Sequence, residues 1–246
     1  LFSSQLANRR YEVFEINVDG TGLRQVTPAE PDIDNYDACY LPNEKIVFDS
    51  TACFQGVPCV GGGNQVANLY VMNPDGTGIR QLCFDQDHNW CPTVLNTGRV
   101  LYSRWEYSDT PHYFTRLMMR MNPDGTNQVA LYGSNSYWPN STFYPRPIPG
   151  HPSKFVGVIS GHHGVPRMGE LIIFDQNKGD FEADGAIQRI PGRGEKIEPV
   201  IKVGETGDEH KLAGEIGSYV VTPMIEQYLD DMLEHYTDTF LADTTE

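Results

Sequence analysis

One short phrase recurs along this chain at a nearly constant interval. Residues 17–25 read NVDGTGLRQ, residues 73–81 read NPDGTGIRQ, and residues 122–128 read NPDGTNQ. The aspartates of successive copies lie 56 and 49 residues apart. A period of about fifty residues indicates one supersecondary unit that is copied along the chain. Because glycine supplies the positive φ of a tight turn without steric cost, each Asp-Gly pair predicts a hairpin.

Strand-like segments keep the same register around each copy of the phrase. An apolar strand precedes each copy, at 13–16, 69–72 and 117–121. Further strand candidates fall at 1–4, 45–50, 99–104 and 155–160, with opening strands at 37–42, 88–92 and 140–147 and a degenerate hairpin at 171–179. Repeated β-meanders are typical of propeller blades. The sequence therefore predicts an all-β fold, a β-propeller of four-stranded antiparallel blades.

The predicted blades do not complete a ring. One partial blade at 1–27 precedes three fuller blades at about 32–83, 88–132 and 140–190. Propellers usually carry about four to eight full blades. Because the chain opens inside a blade, we expect either a fragment of a longer protein or completion of the ring by another chain. The expected partners are thus other subunits or the rest of the protein's own chain.

The end of the chain has a different character from the repeats. We expect the partial propeller to occupy 1–202, and residues 203–246 to form a loop, one short amphipathic helix and an acidic tail. Thr222 is a candidate helix cap, and Pro223 suits the first helical position. Apolar residues then recur at helical spacing from Met224 to Leu233.

The composition excludes some classes of partner. The 246 residues carry a net charge of −15 at pH 7, whereas nucleic-acid binding needs a basic surface. The same charge argues against docking on anionic lipid. No apolar run approaches the length that a membrane span needs. We therefore expect no nucleic-acid partner and no membrane span.

All five cysteines lie between positions 39 and 91. Cys53 and Cys59 stand at the two ends of one loop, and Cys83 and Cys91 bracket the crossing between two blades. Either pair could form a disulfide, which would indicate an extracytoplasmic compartment. A thiolate metal site, with zinc as a candidate, and plain buried thiols are the alternatives. None of the spacings is the Cys-x₂-Cys of zinc ribbons.

The repeat register also predicts which loop residues share one end of the propeller. Cys53, Tyr107 and His163 are equivalent positions just past aligned strands, so we expect their loops to share one mouth. The residues predicted at this mouth are Cys53, Cys59, Trp105, Glu106, Tyr107, Asp109, His112, His162 and His163. This mixture suits a metal or a haem edge. The alternative is that these side chains pad contacts between blades.

Within that set, two kinds of contact are expected. Trp105, Tyr107, Asp109, His112, His162 and His163 are candidates for contact with a cofactor, and Cys53, Cys59 and His163 are candidates for metal ligation. Adjacent side chains on an extended segment point in opposite directions. We therefore expect one histidine of the pair 162–163 at most to face a shared cavity.

Several stretches resemble a known group of proteins. The repeated phrase is similar to that of TolB-type propellers. A narrower resemblance, to the middle propeller domain of hydrazine synthase alpha subunits and their planctomycete-type relatives, rests on 36–42, 56–59, 105–112, 159–171, 183–185 and 188–192. The GHHGVPRMG stretch at 161–169 is its most specific part. The resemblance implies a six-bladed propeller, export from the cytoplasm, and c-type haem enzymes that make hydrazine.

The chain also departs from that family. It contains no Cys-x-x-Cys-His, the motif that attaches haem c covalently. By motif alone, Cys59 matches the family's propeller cysteine near the haem. The resemblance therefore implies a propeller that walls a haem or metal pocket, with haem attached outside this segment. A non-catalytic TolB-like propeller that binds a protein, glycan or small ligand is the alternative, and whether the chain is an enzyme stays open.

Overall fold

Antiparallel β-sheets make up the described part of the chain. The computed structural model describes residues 1–58, 61–105, 116–134, 139, 141–159, 170–180 and 183–190. Within these ranges, no helix is both long and apolar enough to cross a membrane. The helix and tail expected at 203–246 lie outside the described residues, and the domain boundary at 202 stays a prediction.

The described strands form four sheets, which we call blades 1 to 4. Blade 1 contains β1 (Phe2–Gln5), β2 (Tyr11–Glu15) and β3 (Arg24–Gln25). Blade 2 contains β4 (Asn35–Tyr40), β5 (Ile46–Ser50), β6 (Asn68–Met72) and β7 (Arg80–Gln81). Blade 3 contains β8 (Asn89–Val94), β9 (Val100–Trp105), β10 (Arg116–Met121) and β11 (Val129–Tyr132). Blade 4 contains β12 (Thr142–Pro147), β13 (Lys154–Ile159), β14 (Glu170–Asp175) and β15 (Ala186–Ile190).

Each blade is a meander in which consecutive strands pair antiparallel. The predicted fold class, an all-β propeller of antiparallel blades, is confirmed. Blade 1 has three described strands and blades 2 to 4 have four each. The first strands β4, β8 and β12 contact one another from blade to blade. They are therefore the innermost strands, and the short β3 and β7 lie at the outer edge.

The repeated phrase forms the predicted turn in all three copies. Asp19 accepts hydrogen bonds from both the backbone N–H and the hydroxyl of Thr21, at 2.9 and 2.7 Å. Asp75 and Asp124 make the same pair of contacts with the threonine two residues on. These hydrogen bonds lower the pKa of each aspartate. The glycine that follows has a φ of +83° to +86°, which explains why Asp-Gly recurs.

An arginine after the turn links one blade to the next. Arg24 Nη2 donates to the carbonyl oxygen of Pro74 at 2.8 Å, and Arg80 Nη2 donates to that of Asp124 at 3.0 Å. In each case the arginine of one copy reaches the turn of the following copy. The third copy has Val129 at the equivalent position.

The core lies between the blades. Ile46, Phe48 and Tyr70 of blade 2 pack against Val13 and Val26 of blade 1. The alternate residues of the same strands face blade 3, in a cluster of Leu41, Val47, Leu69, Val71, Leu82, Cys83, Val100, Tyr102, Met119 and Met121. Because side chains alternate along a strand, β5 and β6 are buried on both faces.

The innermost strands share an irregularity that the repeat did not predict. In β4, β8 and β12, two residues oppose one on the neighbouring strand. The first bulged residue has positive φ in each blade: Asp37 at 49°, Cys91 at 55° and Tyr144 at 50°. A non-glycine residue in this region is strained by roughly 1–3 kcal/mol. The bulges bend each innermost strand at the same level of the propeller.

Candidate functional site

The mouth is the end of the blades at which β5, β9 and β13 finish and β6, β10 and β14 begin. A layer of buried polar residues marks its floor, at the first residues of β6, β10 and β14 and at Glu12 of β2. Asn35 Nδ2 donates to Glu12 Oε2 at 2.9 Å, and Asn89 Nδ2 donates to Asn68 Oδ1 at 2.6 Å. Each bond joins one blade to the first strand of the next, so this layer fixes the blades at the mouth.

A group of rings around Arg116 adjoins this layer, and we call it the aromatic cluster: His88, Trp90, Trp105, Arg116 and Phe143. The Arg116 guanidinium lies 5.4 Å from the Trp90 ring, 5.0 Å from the Trp105 ring and 5.2 Å from the Phe143 ring. Arg116 and Trp105 are opposite each other on β10 and β9, and each is only 3% exposed. Contacts of a cation with a ring face stabilise by about 0.5–2 kcal/mol each.

His88 is held in one protonation state within the aromatic cluster. Its ring stacks on Trp90 at 4.2 Å between centroids and lies at 5.8 Å from Trp105. Burial, and then the Arg116 charge, lower the pKa of His88 to about 3. Its Nδ1 accepts the backbone N–H of Ala67 at 3.0 Å. The neutral ring therefore carries its proton on Nε2 and cannot ligate a metal through that atom.

Two of the predicted site residues come together at the mouth. Trp105 packs with Val57 and Val66, and Cys53 packs against the same cluster. The Cys53 thiol donates to the carbonyl oxygen of Val66 at 3.2 Å. The other predicted site residues, Cys59, Glu106, Tyr107, Asp109, His112, His162 and His163, lie outside the described residues. A cavity shared by the whole set stays a prediction.

The thiol pairings expected from the sequence are not formed. Cys39, Cys53, Cys83 and Cys91 are free, so the structure does not form the Cys83–Cys91 disulfide, and Cys53 carries no disulfide either; Cys59 lies outside the described residues. Cys83 follows the outermost strand of blade 2, whereas Cys91 lies on the innermost strand of blade 3. The Cys53 thiol is engaged with Val66 instead of a second sulfur.

The possible metal ligands of the described residues do not converge on one point. In the described ranges, no three His, Cys, Asp or Glu side chains are grouped so that they could hold a metal ion. His88 presents a protonated nitrogen, and Cys53 is a thiol bound to a carbonyl. Within the described ranges, the residues therefore supply no ligand set for a zinc ion or a haem iron.

A polar pocket between blades 1 and 2 also opens near the mouth, and sequence reasoning missed it. Its volume is about 520 Å³. We call it the blade 1–2 pocket, and its lining includes Arg10, Tyr11, Asp34, Tyr36, Thr51 and Gln65. These residues come from four segments outside the repeated phrase, so the repeat register gave no signal for them.

Comparison with known proteins identifies similar folds. No family model and no curated protein sequence matches this chain. The chain is similar in structure to hydrazine synthase from Kuenenia stuttgartiensis, with 14% sequence identity and a TM-score of 0.59 over 77% of this chain. It is also similar to a TolB-type protein from Agrobacterium tumefaciens, with 16% identity and a TM-score of 0.54 over 80% of this chain.

The chain is shorter than these two proteins. It spans 30% of the hydrazine synthase chain and 62% of the TolB-type chain. At such low identity the likeness concerns the fold. The described part of the chain is therefore a TolB-like β-propeller, similar in structure to hydrazine synthase.

Proposed function

We propose that this chain is the propeller part of an extracytoplasmic redox protein of the hydrazine synthase type. In this proposal the propeller walls a haem or metal pocket, and the haem is attached outside this segment. The observation that carries it is the aromatic cluster at the mouth. The fold likeness to hydrazine synthase supports the type of protein and, with TolB, the extracytoplasmic compartment.

The chemistry of the cluster suits a wall. Flat rings offer a face or an edge to a planar group, and a guanidinium pairs with carboxylates. Trp90 and His88 are only half-buried, so their edges are available at the mouth, while Trp105 and Arg116 hold them in place. When bound, a haem or metal would supply the electron transfer, and this chain's described residues would position and shield it.

The test uses the full-length native protein purified from its source. We expect a haem absorption spectrum, and we expect Trp90→Ala to shift its main band because one wall of the pocket is lost. The exposed Phe84→Ala is the matched control and should leave the spectrum unchanged. A full-length protein with neither haem nor bound metal would contradict the proposal.

A second candidate function is a non-catalytic TolB-like propeller. The thiols of Cys39 and Cys83 and the neutral His88 favour it. Burial raises the pKa of both thiols to about 12 and lowers the pKa of His88 to about 3, so none of the three changes charge near neutral pH. Under this reading the mouth presents a surface to a ligand or to another part of the protein. The same full-length preparation decides between the two, since this candidate predicts no haem spectrum.

A further inference from the structure

The blade 1–2 pocket has the features of a binding site for a small ligand, and it is separate from the aromatic cluster. At about 520 Å³, it falls within the roughly 300–1,000 Å³ of ligand pockets. We propose that this pocket binds a neutral saccharide of one or two sugar units. The inference does not depend on the proposed redox function.

The polar wall of the pocket is preorganised. Asp34 accepts from Arg10 Nη1 at 3.0 Å and from the backbone N–H of Tyr11 at 2.8 Å. The backbone N–H of Asp34 donates to Thr51 Oγ1 at 2.9 Å. Gln65 Oε1 accepts from Arg10 Nη1 at 3.3 Å. These bonds tie Arg10 and Tyr11 of blade 1 to Asp34 and Gln65, and they tie Asp34 to Thr51. The side chains of the wall are therefore already ordered before a ligand binds.

The two opposite charges that line the pocket balance each other. Arg10 forms an ion pair with Asp34 at 3.0 Å, while Asp32, which is 74% exposed and outside the lining, lies 3.7 Å from Arg10. An anionic ligand would have to compete with these carboxylates for Arg10, and a cationic ligand would meet the guanidinium. An uncharged ligand with hydroxyl groups can accept a hydrogen bond from Arg10 and donate one to Asp34.

The pocket also holds polar groups that remain available. Tyr36 lines it and is half-buried, and its phenol oxygen makes no hydrogen bond to the residues that the structure describes. Burial, and then the charges of Asp49 and Asp37, raise the pKa of the Tyr36 phenol, so the group stays a donor at neutral pH. Tyr11, 43% exposed, adds a second ring. Two phenols beside planar amide and guanidinium groups suit the alternating apolar and hydroxyl faces of a sugar.

Titration calorimetry on the complete chain tests the proposal. The probes are glucose, galactose, mannose, N-acetylglucosamine and their dimers, with glucuronate and glucosamine as charged analogues. We expect at least one neutral sugar to bind with a dissociation constant of about 1 mM or tighter. Tyr36→Phe removes one hydrogen-bonding hydroxyl without changing the ring, so affinity should fall roughly 2- to 10-fold.

The matched control is Tyr144→Phe, which removes the hydroxyl of an exposed tyrosine on the innermost strand of blade 4. It should leave the affinity unchanged. The proposal would be overturned if no neutral sugar bound at a concentration of about 10 mM. It would also be overturned if a charged analogue bound more tightly than its neutral parent sugar. Equal affinity of the Tyr36→Phe variant and the parent protein would overturn it as well.

Discussion

Asp49 on β5 accepts a hydrogen bond from the backbone N–H of Cys91 on β8, with 3.2 Å between Oδ2 and N. The bond crosses from blade 2 to blade 3, at the bulge of an innermost strand. Asp49 is fully buried, and its Oδ1 has no hydrogen-bond partner within the described residues. Burial, and then the charge of Asp37, raise the pKa of Asp49 well above its usual range.

The first prediction is a dependence of stability on pH that comes from Asp49. Its folded-state pKa lies above the unfolded value of about 3.9, so folding favours the protonated form. This contribution to stability is complete below the unfolded pKa and is lost as pH rises through the folded pKa. Urea unfolding across a pH series should show that loss as a fall in the free energy of unfolding with rising pH. The Asp49→Asn variant should reduce the slope of this free energy against pH.

For Asp49→Asn, the informative measurement is the slope of the free energy of unfolding against pH, and not its value at one pH. The amide keeps an acceptor for the Cys91 N–H but adds a buried donor, so the absolute stability also changes. Glu44→Gln, at an exposed carboxylate, is the control and should leave the slope as it was. Identical slopes for Asp49→Asn and the parent protein would contradict the assignment.

The second prediction concerns the glycines of the repeated turn, where a substitution can destabilise the fold through backbone strain or through a clash with the neighbouring blade. Gly20 and Gly76 occupy the same position of the repeated turn, with φ of +85° and +83°. A Cβ at Gly20 would meet nothing within 4 Å, whereas a Cβ at Gly76 would lie 2.4 Å from the carbonyl oxygen of Val26. We expect Gly20→Ala to lower the free energy of unfolding by about 1–2 kcal/mol from strain, and Gly76→Ala to lower it by more.

Denaturant unfolding of both glycine variants checks this order. Gly125→Ala gives a third point, because its Cβ would lie 3.1 to 3.2 Å from Leu82, and it should fall between the other two. Equal losses for Gly20→Ala and Gly76→Ala would mean that Gly76 is not in contact with blade 1.

The third prediction concerns Trp105. Trp105→Ala removes a buried ring from contact with Val57, Val66 and Arg116, and it leaves the guanidinium with fewer partners. We expect a loss of about 3–5 kcal/mol in the free energy of unfolding. Phe84→Ala, at a residue that is 77% exposed, should change it by about 0.5 kcal/mol or less. Similar losses for both variants would argue against the aromatic cluster.

The fourth prediction concerns thiol reactivity. Burial raises the pKa of Cys39 and Cys83 to about 12, so both are almost fully protonated at pH 8 and are poor nucleophiles. We expect alkylation of unreduced native protein to label the half-buried Cys53 before the buried Cys83 and Cys91. Mass spectrometry after denaturation should then show labels on all of these thiols. A pair that labels only after reduction would restore the disulfide hypothesis.

The hairpins were predictable because their cause is local. Asp19, Asp75 and Asp124 each bind a threonine two residues away, and the glycine between them tolerates positive φ. The bulges at Asp37, Cys91 and Tyr144 were not predictable, because none of these positions holds a glycine and no turn motif of the repeat marks a positive φ there.

The site was predictable only in part. Register placed Cys53 and Trp105 at the mouth, because equivalent positions in successive blades share one end. It did not identify Arg116, whose place opposite Trp105 depends on the pairing of β9 with β10. It also missed Arg10 and Asp34, which meet through folding of non-repeated segments and carry no sequence pattern.

The arginine links that run from Arg24 to Pro74 and from Arg80 to Asp124 have a direction. Blades 1 and 2 each carry an arginine that donates to the turn of the following blade. The acceptor is a main-chain carbonyl, which any residue would supply as long as the backbone keeps its geometry. A duplicated blade would therefore bring its own arginine donor with it, while the turn that accepts the hydrogen bond could change its side chains. If such an array grows by copying of blades, this contact requires the arginine of one blade and places no requirement on the side chains of the turn in the next blade.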